Sequence, residues 1–168
     1  LDCWTLIFTA SHNHSGPGTG NCFIPRLEKS EDSYVEYLMK TVCEAVYEAL
    51  ENLDEVTVWR FEGNSDMNVF RRLKLGDRIE MRPNFRVPAD NALTILGFAK
   101  ADGDMKGLVV HYACRAKISG ENTVQPDYPG IALRLLDEAY PGCVSMFWQG
   151  CTGDLRPRNI LGSHFAPG

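Results

Sequence analysis

Apolar and polar residues alternate in blocks along the chain, and these blocks predict strands and helices in turn. Residues 3–10 are almost continuously apolar, which is typical of a strand that is covered on both faces. Residues 31–53 carry apolar side chains at intervals of three and four, which predicts a long amphipathic helix with Ser30 as its N-cap. Residues 56–61 then alternate, and they predict a strand with one face exposed to water.

The second half of the chain predicts a short strand at residues 77–82, a hairpin, another helix and a further strand. Residues 91–100 and 107–116 are rich in strand-forming residues and flank an Ala-Asp-Gly-Asp turn, which predicts the hairpin. Residues 129–140 form an amphipathic pattern that predicts the helix, with Asp127 as its cap. A buried strand is expected at residues 143–148.

This order of elements predicts an α/β fold, with a mixed β-sheet flanked by helices in a layered sandwich. At 168 residues, we expect a single α/β domain over residues 1–168. The net charge of −5 and the lack of a long basic run argue against nucleic acid as a partner. No apolar stretch approaches the roughly 20 residues of a transmembrane helix, so no transmembrane segment is expected. The compartment and the oligomeric state are left open.

Three polar clusters directly follow three of the predicted strands. The first contains His12 and His14, the second Arg115, and the third is Gly150-Cys151-Thr152-Gly153-Asp154. Sites in α/β proteins gather at the carboxyl ends of strands, because the turns there vary while the sheet holds its position. If the three strands run in the same direction, the clusters meet at one edge of the sheet.

The residue types in these clusters favour hydrolytic or metal chemistry. In an extended segment, His12 and His14 point to the same side and converge on one ion or one substrate group; alternatively, both lie in a polar loop. The glycines at 150 and 153 allow tight turns that expose N–H groups to an oxyanion or a phosphate. Asp154 either orients a histidine or binds a metal, or it caps a turn or pairs with Arg156 or Arg158.

Three motifs resemble segments of one enzyme family. They are Ser11-His12-Asn13-His14-Ser15-Gly16-Pro17-Gly18, Asp127-Tyr128-Pro129-Gly130, and Gln149-Gly150-Cys151-Thr152-Gly153-Asp154-Leu155-Arg156-Pro157. A weaker match is Phe70-Arg71-Arg72. In order and in rough spacing they resemble the amino-terminal domain of the neutral/alkaline, non-lysosomal ceramidase family, of which the chain looks like a divergent member.

The resemblance implies a zinc-dependent hydrolase of the amide bond in an N-acyl lipid or a related substrate. His12 would be a zinc ligand with His14 beside it, and His14, Arg71 and Asp154 would be catalytic. Zinc polarises a carbonyl and lowers the pKa of bound water, which gives a nucleophile near neutral pH. The implied cofactor is zinc and the implied partner is a small-molecule or lipid-like substrate.

The chain departs from the family pattern at two arginines. Arg115 stands where the family has its second zinc histidine, and Arg156 stands where it has a catalytic serine. The family's remaining zinc ligands, a Glu and a Tyr, come from sequence well beyond the position of Gly168. We therefore expect the chain to be part of a longer ceramidase-like protein. Guanidinium groups bind carboxylate or phosphate well, so Arg115 and Arg156 are candidate substrate-binding residues for an anionic group. The alternative function is a non-catalytic relative with a polar, anion-favouring pocket.

Overall fold

The computed structural model describes residues 6–20, 30–119 and 122–158 of the chain. These residues divide into two compact units, one containing those up to Ser15 and from Val56 onward, the other those from Gly16 to Glu55. The expected single domain stays a prediction. The elements are α1 (Asp32–Glu51), β1 (Thr57–Asn64), β2 (Asn68–Phe70), β3 (Leu73–Leu75), β4 (Arg78–Glu80), β5 (Ala92–Ala99), β6 (Met105–Tyr112), α2 (Asp127–Ala139), β7 (Val144–Gln149) and β8 (Leu155–Pro157).

The larger unit is built on a mixed sheet with the strand order β1-β5-β6-β7. Strands β5 and β6 form the predicted antiparallel hairpin, and Gly103 supplies the positive φ of 92° that its turn requires. Strand β1 pairs antiparallel with β5, whereas β6 and β7 are parallel and are connected through α2. The predicted α/β class with a mixed sheet is confirmed.

Helix α2 packs against β7 and covers one face of the sheet. The core there contains Val110 and Tyr112, which lie two residues apart on β6 and therefore point to the same face. The Tyr128 ring at the start of α2 packs edge-on against Phe147 of β7, with 5.7 Å between the ring centroids. Asp127 is the first residue of this helix, with a positive φ of 52°, and the N-cap is Pro126 rather than Asp127 as predicted.

Helix α1 belongs to the smaller unit and agrees closely with the helix predicted at residues 31–53. Its N-cap is Glu31, without a side-chain capping bond, and not the predicted Ser30. Side chains four residues apart form a half-buried stripe, and no residue of the helix is fully buried. The stripe is Tyr34, Leu38, Val42, Val46 and Leu50.

The strand predicted at residues 3–10 is wrong for its described part, since residues 6–10 are not in a strand; residues 3–5 lie outside the described ranges. Ile7 and Phe8 are each 70% exposed. A strand needs a neighbour that accepts and donates its backbone hydrogen bonds, and an apolar run alone does not supply one. No strand in the described part of the chain pairs with these residues.

Two smaller pairings lie outside the main sheet. Strand β2 pairs antiparallel with β8, and β3 pairs with β4, which is the strand expected at residues 77–82. Strand β1 confirms the strand expected at residues 56–61, but it is exposed on both faces rather than on one. Among the described residues, no helix is both long enough and apolar enough to cross a membrane.

Candidate functional site

The carboxyl ends of β6 and β7 lie at the same edge of the sheet because the two strands are parallel. The Gly150 N–H donates to the Tyr112 carbonyl at 3.1 Å, which joins the two strand ends. A Cβ atom on Gly150 would lie 3.0 Å from the backbone of Ala113, so glycine permits this close approach. Arg115 and the turn at residues 150–154 therefore leave the sheet side by side, which is the arrangement that the sequence predicts if these strands run in the same direction.

Asn68, which belongs to none of the sequence motifs, fixes the end of β6 from the other side. It is 1% exposed, and its Nδ2 donates to the Ala113 carbonyl at 2.6 Å and to the Asp90 carbonyl at 2.5 Å. Its backbone N–H lies 3.2 Å from the Tyr112 hydroxyl. A buried amide that bridges two carbonyls holds the segment leading to Arg115. The available sequence signal is an asparagine between Met67 and the apolar pair that follows it.

Arg71 follows β2 and contacts the turn after β7. Its backbone N–H donates to the Asp154 carbonyl at 2.8 Å, and its Nη2 donates to the Gly153 carbonyl at 2.7 Å. The antiparallel pairing of β2 with β8 brings Arg156 next to Val69, where Arg156 is only 9% exposed. The two small strands thus bring two guanidinium groups to the carboxyl edge of the main sheet.

His14 reaches the same edge through a loop rather than from a strand end. Asn13 Nδ2 donates to the Gln125 carbonyl at 2.6 Å, and the Gln125 N–H donates to the Ser15 carbonyl at 3.1 Å. These bonds attach the histidine loop to the residues before α2. The Nε and Nη2 atoms of Arg115 lie 3.1 and 2.9 Å from Nε2 of His14.

The lowered pKa of His14 is consistent with its contact with Arg115. Partial burial of the ring, followed by the positive charges of Arg115, Lys117 and others, lowers the pKa of His14 from 6.5 to about 4. The imidazole is therefore neutral at pH 7. Since an arginine can only donate, Nε2 of His14 is the acceptor and the ring proton is on Nδ1. Burial and the charge of Arg71 also lower the pKa of Arg115 and of Arg156.

The structure brings His12 close to His14, but not in the way the sequence predicts. His12 has a positive φ of 55°, so the backbone turns at this residue instead of continuing as a strand. The two imidazole rings are nevertheless 5.1 Å apart, centroid to centroid, in an edge-to-face arrangement. Their proximity therefore results from a local turn.

The described residues do not fit a zinc ion at this pair. No group of three or more His, Cys, Asp or Glu side chains in the described part of the chain is arranged to hold a metal. A structural zinc site has four ligands and a catalytic one has three protein ligands. The Nε2 lone pair of His14 already accepts from Arg115, whose positive charge opposes a second cation at the same nitrogen.

Of the predicted site residues, the side chains of His14 and Arg115 are in contact, and the positive charge of Arg71 adds to their burial in lowering the pKa of both. Arg156 lies within reach of the charge of Arg71, which lowers its pKa. Asp154 joins the cluster through its backbone carbonyl. The predicted alternative in which Asp154 pairs with Arg158 is wrong, because Arg158 forms its ion pair with Asp66 at 2.7 Å. The functional roles assigned to these residues stay predictions.

The fold of the chain is similar to that of solved ceramidase structures. A neutral ceramidase from Pseudomonas aeruginosa matches with a TM-score of 0.73 and 17% identity, over 95% of this chain and 26% of that one. A ceramidase complexed with C2 matches with a TM-score of 0.72 and 17% identity, over 89% of this chain and 25% of that one. No model of a protein family and no curated protein sequence matches the chain.

These comparisons confirm the predicted likeness to neutral ceramidases at the level of the fold. The chain spans about a quarter of the length of the ceramidase structures it matches. The similarity therefore concerns one part of the ceramidase architecture. Activity, zinc and substrate have to be argued from the residues of this chain.

Proposed function

We propose that the chain is a ceramidase-fold domain that binds an anionic ligand at the edge of the sheet that carries Arg71 and the contact between His14 and Arg115. The observation that carries this proposal is the contact between the Arg115 guanidinium and Nε2 of His14. It occupies the histidine nitrogen with a cation and leaves a positive, partly buried surface beside it. Such a surface favours carboxylate, sulfate or phosphate groups.

Arg71 and Arg115 each keep hydrogen-bond donors that such a ligand can use. Arg115 directs Nε and Nη2 to His14, and Arg71 directs Nη2 to the Gly153 carbonyl. Within the described part of the chain, the Nη1 groups of both side chains make no hydrogen bond. Both residues are half-buried, so an anion that reaches them is partly shielded from water, which strengthens charge-assisted hydrogen bonds.

Hydrolysis of an N-acyl lipid is the second candidate function, and the fold similarity favours it. In this proposal His12 and His14 contribute to a zinc site, and His14, Arg71 and Asp154 take part in catalysis. The described residues supply too few ligands for zinc, so this function needs a rearrangement of Arg115 and further ligands.

The two candidates are separated by ligand-induced stabilisation. The melting temperature is measured with acetate, sulfate, phosphate or zinc at constant ionic strength, for the wild type and for Arg115→Gln. Binding to the folded state raises the melting temperature by mass action. We expect stabilisation by anions that Arg115→Gln abolishes, and none by zinc. Stabilisation by zinc alone would support the hydrolase and contradict the anion site.

A double substitution of His12 and His14 by Ala provides a check on folding. Since both side chains are exposed, the variant should stay folded while it binds the anion more weakly. A large fall of its melting temperature without ligand would assign the pair a structural role instead.

A further inference from the structure

The segment that follows Arg71 is a basic hairpin. Residues 72–86, called the basic hairpin from here on, contain five arginine and lysine residues and two acidic ones, which gives a net charge of +3 where the whole chain carries −5. The five cations are all exposed, and they are Arg72, Lys74, Arg78, Arg82 and Arg86. Arg82 pairs with Glu80 at 2.9 Å, and within the described residues the other four form no ion pair. A local surplus of positive charge on an acidic chain favours an anionic partner.

The basic hairpin is anchored at its base. Strands β3 and β4 form its arms, and the turn Gly76-Asp77 joins them, with a positive φ of 60° at Gly76. At the other end, the Asn84 N–H donates to the Phe70 carbonyl at 2.8 Å, and Asn84 Nδ2 donates to the Arg72 carbonyl at 3.0 Å. The hairpin is therefore a fixed part of the larger unit, and it presents a defined face to solvent.

The two faces of the basic hairpin differ in exposure. Side chains alternate along each strand, and directly opposite residues of an antiparallel pair lie on the same face. Leu73 and Glu80 are opposite each other and both are half-buried, so their face is turned toward the protein. Lys74 and Ile79 are opposite each other on the other face, where both are exposed. This second face is the outward face.

The outward face combines positive charges with large apolar side chains. The same alternation places Arg72 and Met81 on this face, beside Lys74 and Ile79. Ile79 is 70% exposed and Met81 is 58% exposed. Two cations that form no ion pair within the described residues thus lie next to two aliphatic side chains that are in contact with water.

From this combination we infer that the basic hairpin docks on the surface of a membrane that contains anionic lipids. Such a surface attracts clustered cations at the level of the headgroups and offers an apolar layer just below them. The long side chains of Arg72 and Lys74 keep their charges among the headgroups while Ile79 and Met81 enter the layer beneath. A nucleic acid complements only the charge, because bases stack on aromatic side chains and not on Ile79 or Met81.

The test is co-sedimentation of the chain with phosphatidylcholine vesicles, prepared with and without about one third phosphatidylserine. We expect binding only to the vesicles that contain phosphatidylserine. This binding should weaken as salt rises from about 0.1 M to about 0.5 M, because salt screens the attraction. Lys74→Gln/Arg78→Gln, which removes two cations near the turn, should reduce the partition coefficient by about tenfold or more. Ile79→Ser should reduce it by about fivefold, because an apolar contact below the headgroups is lost.

Each variant has a matched control elsewhere on the surface. Arg60→Gln/Arg134→Gln removes two exposed arginines that pair with glutamates outside the basic hairpin, and it should leave the partition coefficient unchanged. Val124→Ser removes an apolar side chain that is 82% exposed, and it should also have no effect. Thermal denaturation verifies that every variant is folded, and Met81→Ser replaces Ile79→Ser if the latter is unstable.

Several results would overturn the inference. Absence of binding to either vesicle, or equal binding to both, would contradict docking on anionic lipids. An equal loss in Arg60→Gln/Arg134→Gln would mean that the charge of the whole chain, and not the basic hairpin, determines binding. An oligonucleotide that displaces the vesicles, and that Ile79→Ser binds as well as the wild type does, would assign the surface to nucleic acid. The proposed anion site is tested separately, because none of these variants changes His14, Arg71 or Arg115.

Discussion

Two nitrogen atoms of Arg115 lie 2.9 and 3.1 Å from the same nitrogen of His14, although the residues are 101 positions apart in the chain. This contact joins the histidine loop to the end of β6. It assigns Nε2 of His14 to hydrogen bonding and requires the ring proton on Nδ1. The contact therefore supports the proposed anion site, and the positive charge of Arg115 opposes a metal ion at this nitrogen.

Replacing Arg115 by histidine should create a zinc site. The substitution removes the cation from Nε2 of His14 and adds a third imidazole near the His12/His14 pair. We expect purified Arg115→His to retain about one zinc per chain after soaking and dialysis, measured by elemental analysis, because three histidines are a common catalytic zinc set. Arg115→Gln, which removes the cation without adding a ligand, is the control. If Arg115→His holds no more zinc than Arg115→Gln, then His12 and His14 are not positioned to bind one metal ion together with residue 115.

The low pKa of His14 should make folding stability depend on pH in a defined range. The folded protein takes up the His14 proton only near pH 4, whereas the unfolded chain takes it up near pH 6.5. The contribution of His14 is therefore fully present above pH 6.5 and is lost as the pH falls toward 4. Urea denaturation between pH 7 and pH 4 should show a steeper loss for the wild type than for His14→Gln.

An NMR titration of the histidine side chains gives an independent check on this pKa. The resonance that disappears in His14→Gln should titrate close to pH 4 in the wild type. A midpoint near 6.5 would mean that the contact with Arg115 does not persist in solution.

Asn68 should be essential for the stability of the fold. Asn68→Asp replaces the amide donor with a carboxylate that faces the carbonyls of Asp90 and Ala113. We expect the free energy of unfolding to fall by about 2 to 4 kcal/mol, because buried acceptors lose their donor and oppose a new charge. Asn64→Asp, at an exposed strand end, is the matched control and should change little. Similar losses in the two variants would argue against the bridging role of Asn68.

Gly150 and Gly153 provide a second matched pair in the turn after β7. A Cβ on Gly150 meets the backbone of Ala113 at 3.0 Å, whereas a Cβ on Gly153 meets nothing within 4 Å. Gly150→Ala should therefore destabilise the fold by about 1 to 3 kcal/mol through overpacking. Gly153→Ala should be neutral or slightly stabilising, since alanine restricts the unfolded chain. Thermal denaturation measures both, and a neutral Gly150→Ala would place the two strand ends further apart than described.

The helices and strands that depend on local sequence patterns were predictable from the sequence. The hairpin of β5 and β6, helix α1 and strand β7 follow from periodicity and turn residues that act over a few positions. The strand prediction for residues 6–10 is wrong because an apolar run indicates a tendency to be buried, but it does not show that a neighbouring strand is present for pairing. Strand direction also depends on distant residues, so the parallel pairing of β6 and β7 was a condition of the site prediction rather than a result.

The sequence predicted that Arg115 and residues 150–154 follow neighbouring strands, but it did not predict the contacts that their side chains make. The positions of Arg115 and residues 150–154 after β6 and β7 place both at one edge as soon as those strands are parallel. The contact between Arg115 and His14 is not encoded in either motif, since it depends on the bonds of Asn13 and Gln125 that position the loop. Asn68 was missed because its importance arises from its burial, and the sequence alone does not indicate that a polar residue is buried.

The most direct test of the anion site is NMR of the wild-type protein with labelled arginine and histidine side chains. Inorganic phosphate and zinc are added in separate titrations, and the shifts of Arg71, Arg115 and His14 are followed. The account predicts that phosphate shifts the Nε–H signals of Arg71 and Arg115, while zinc leaves Nε2 of His14 unchanged. Zinc-induced shifts at His14, with no response of either arginine to phosphate, would contradict it.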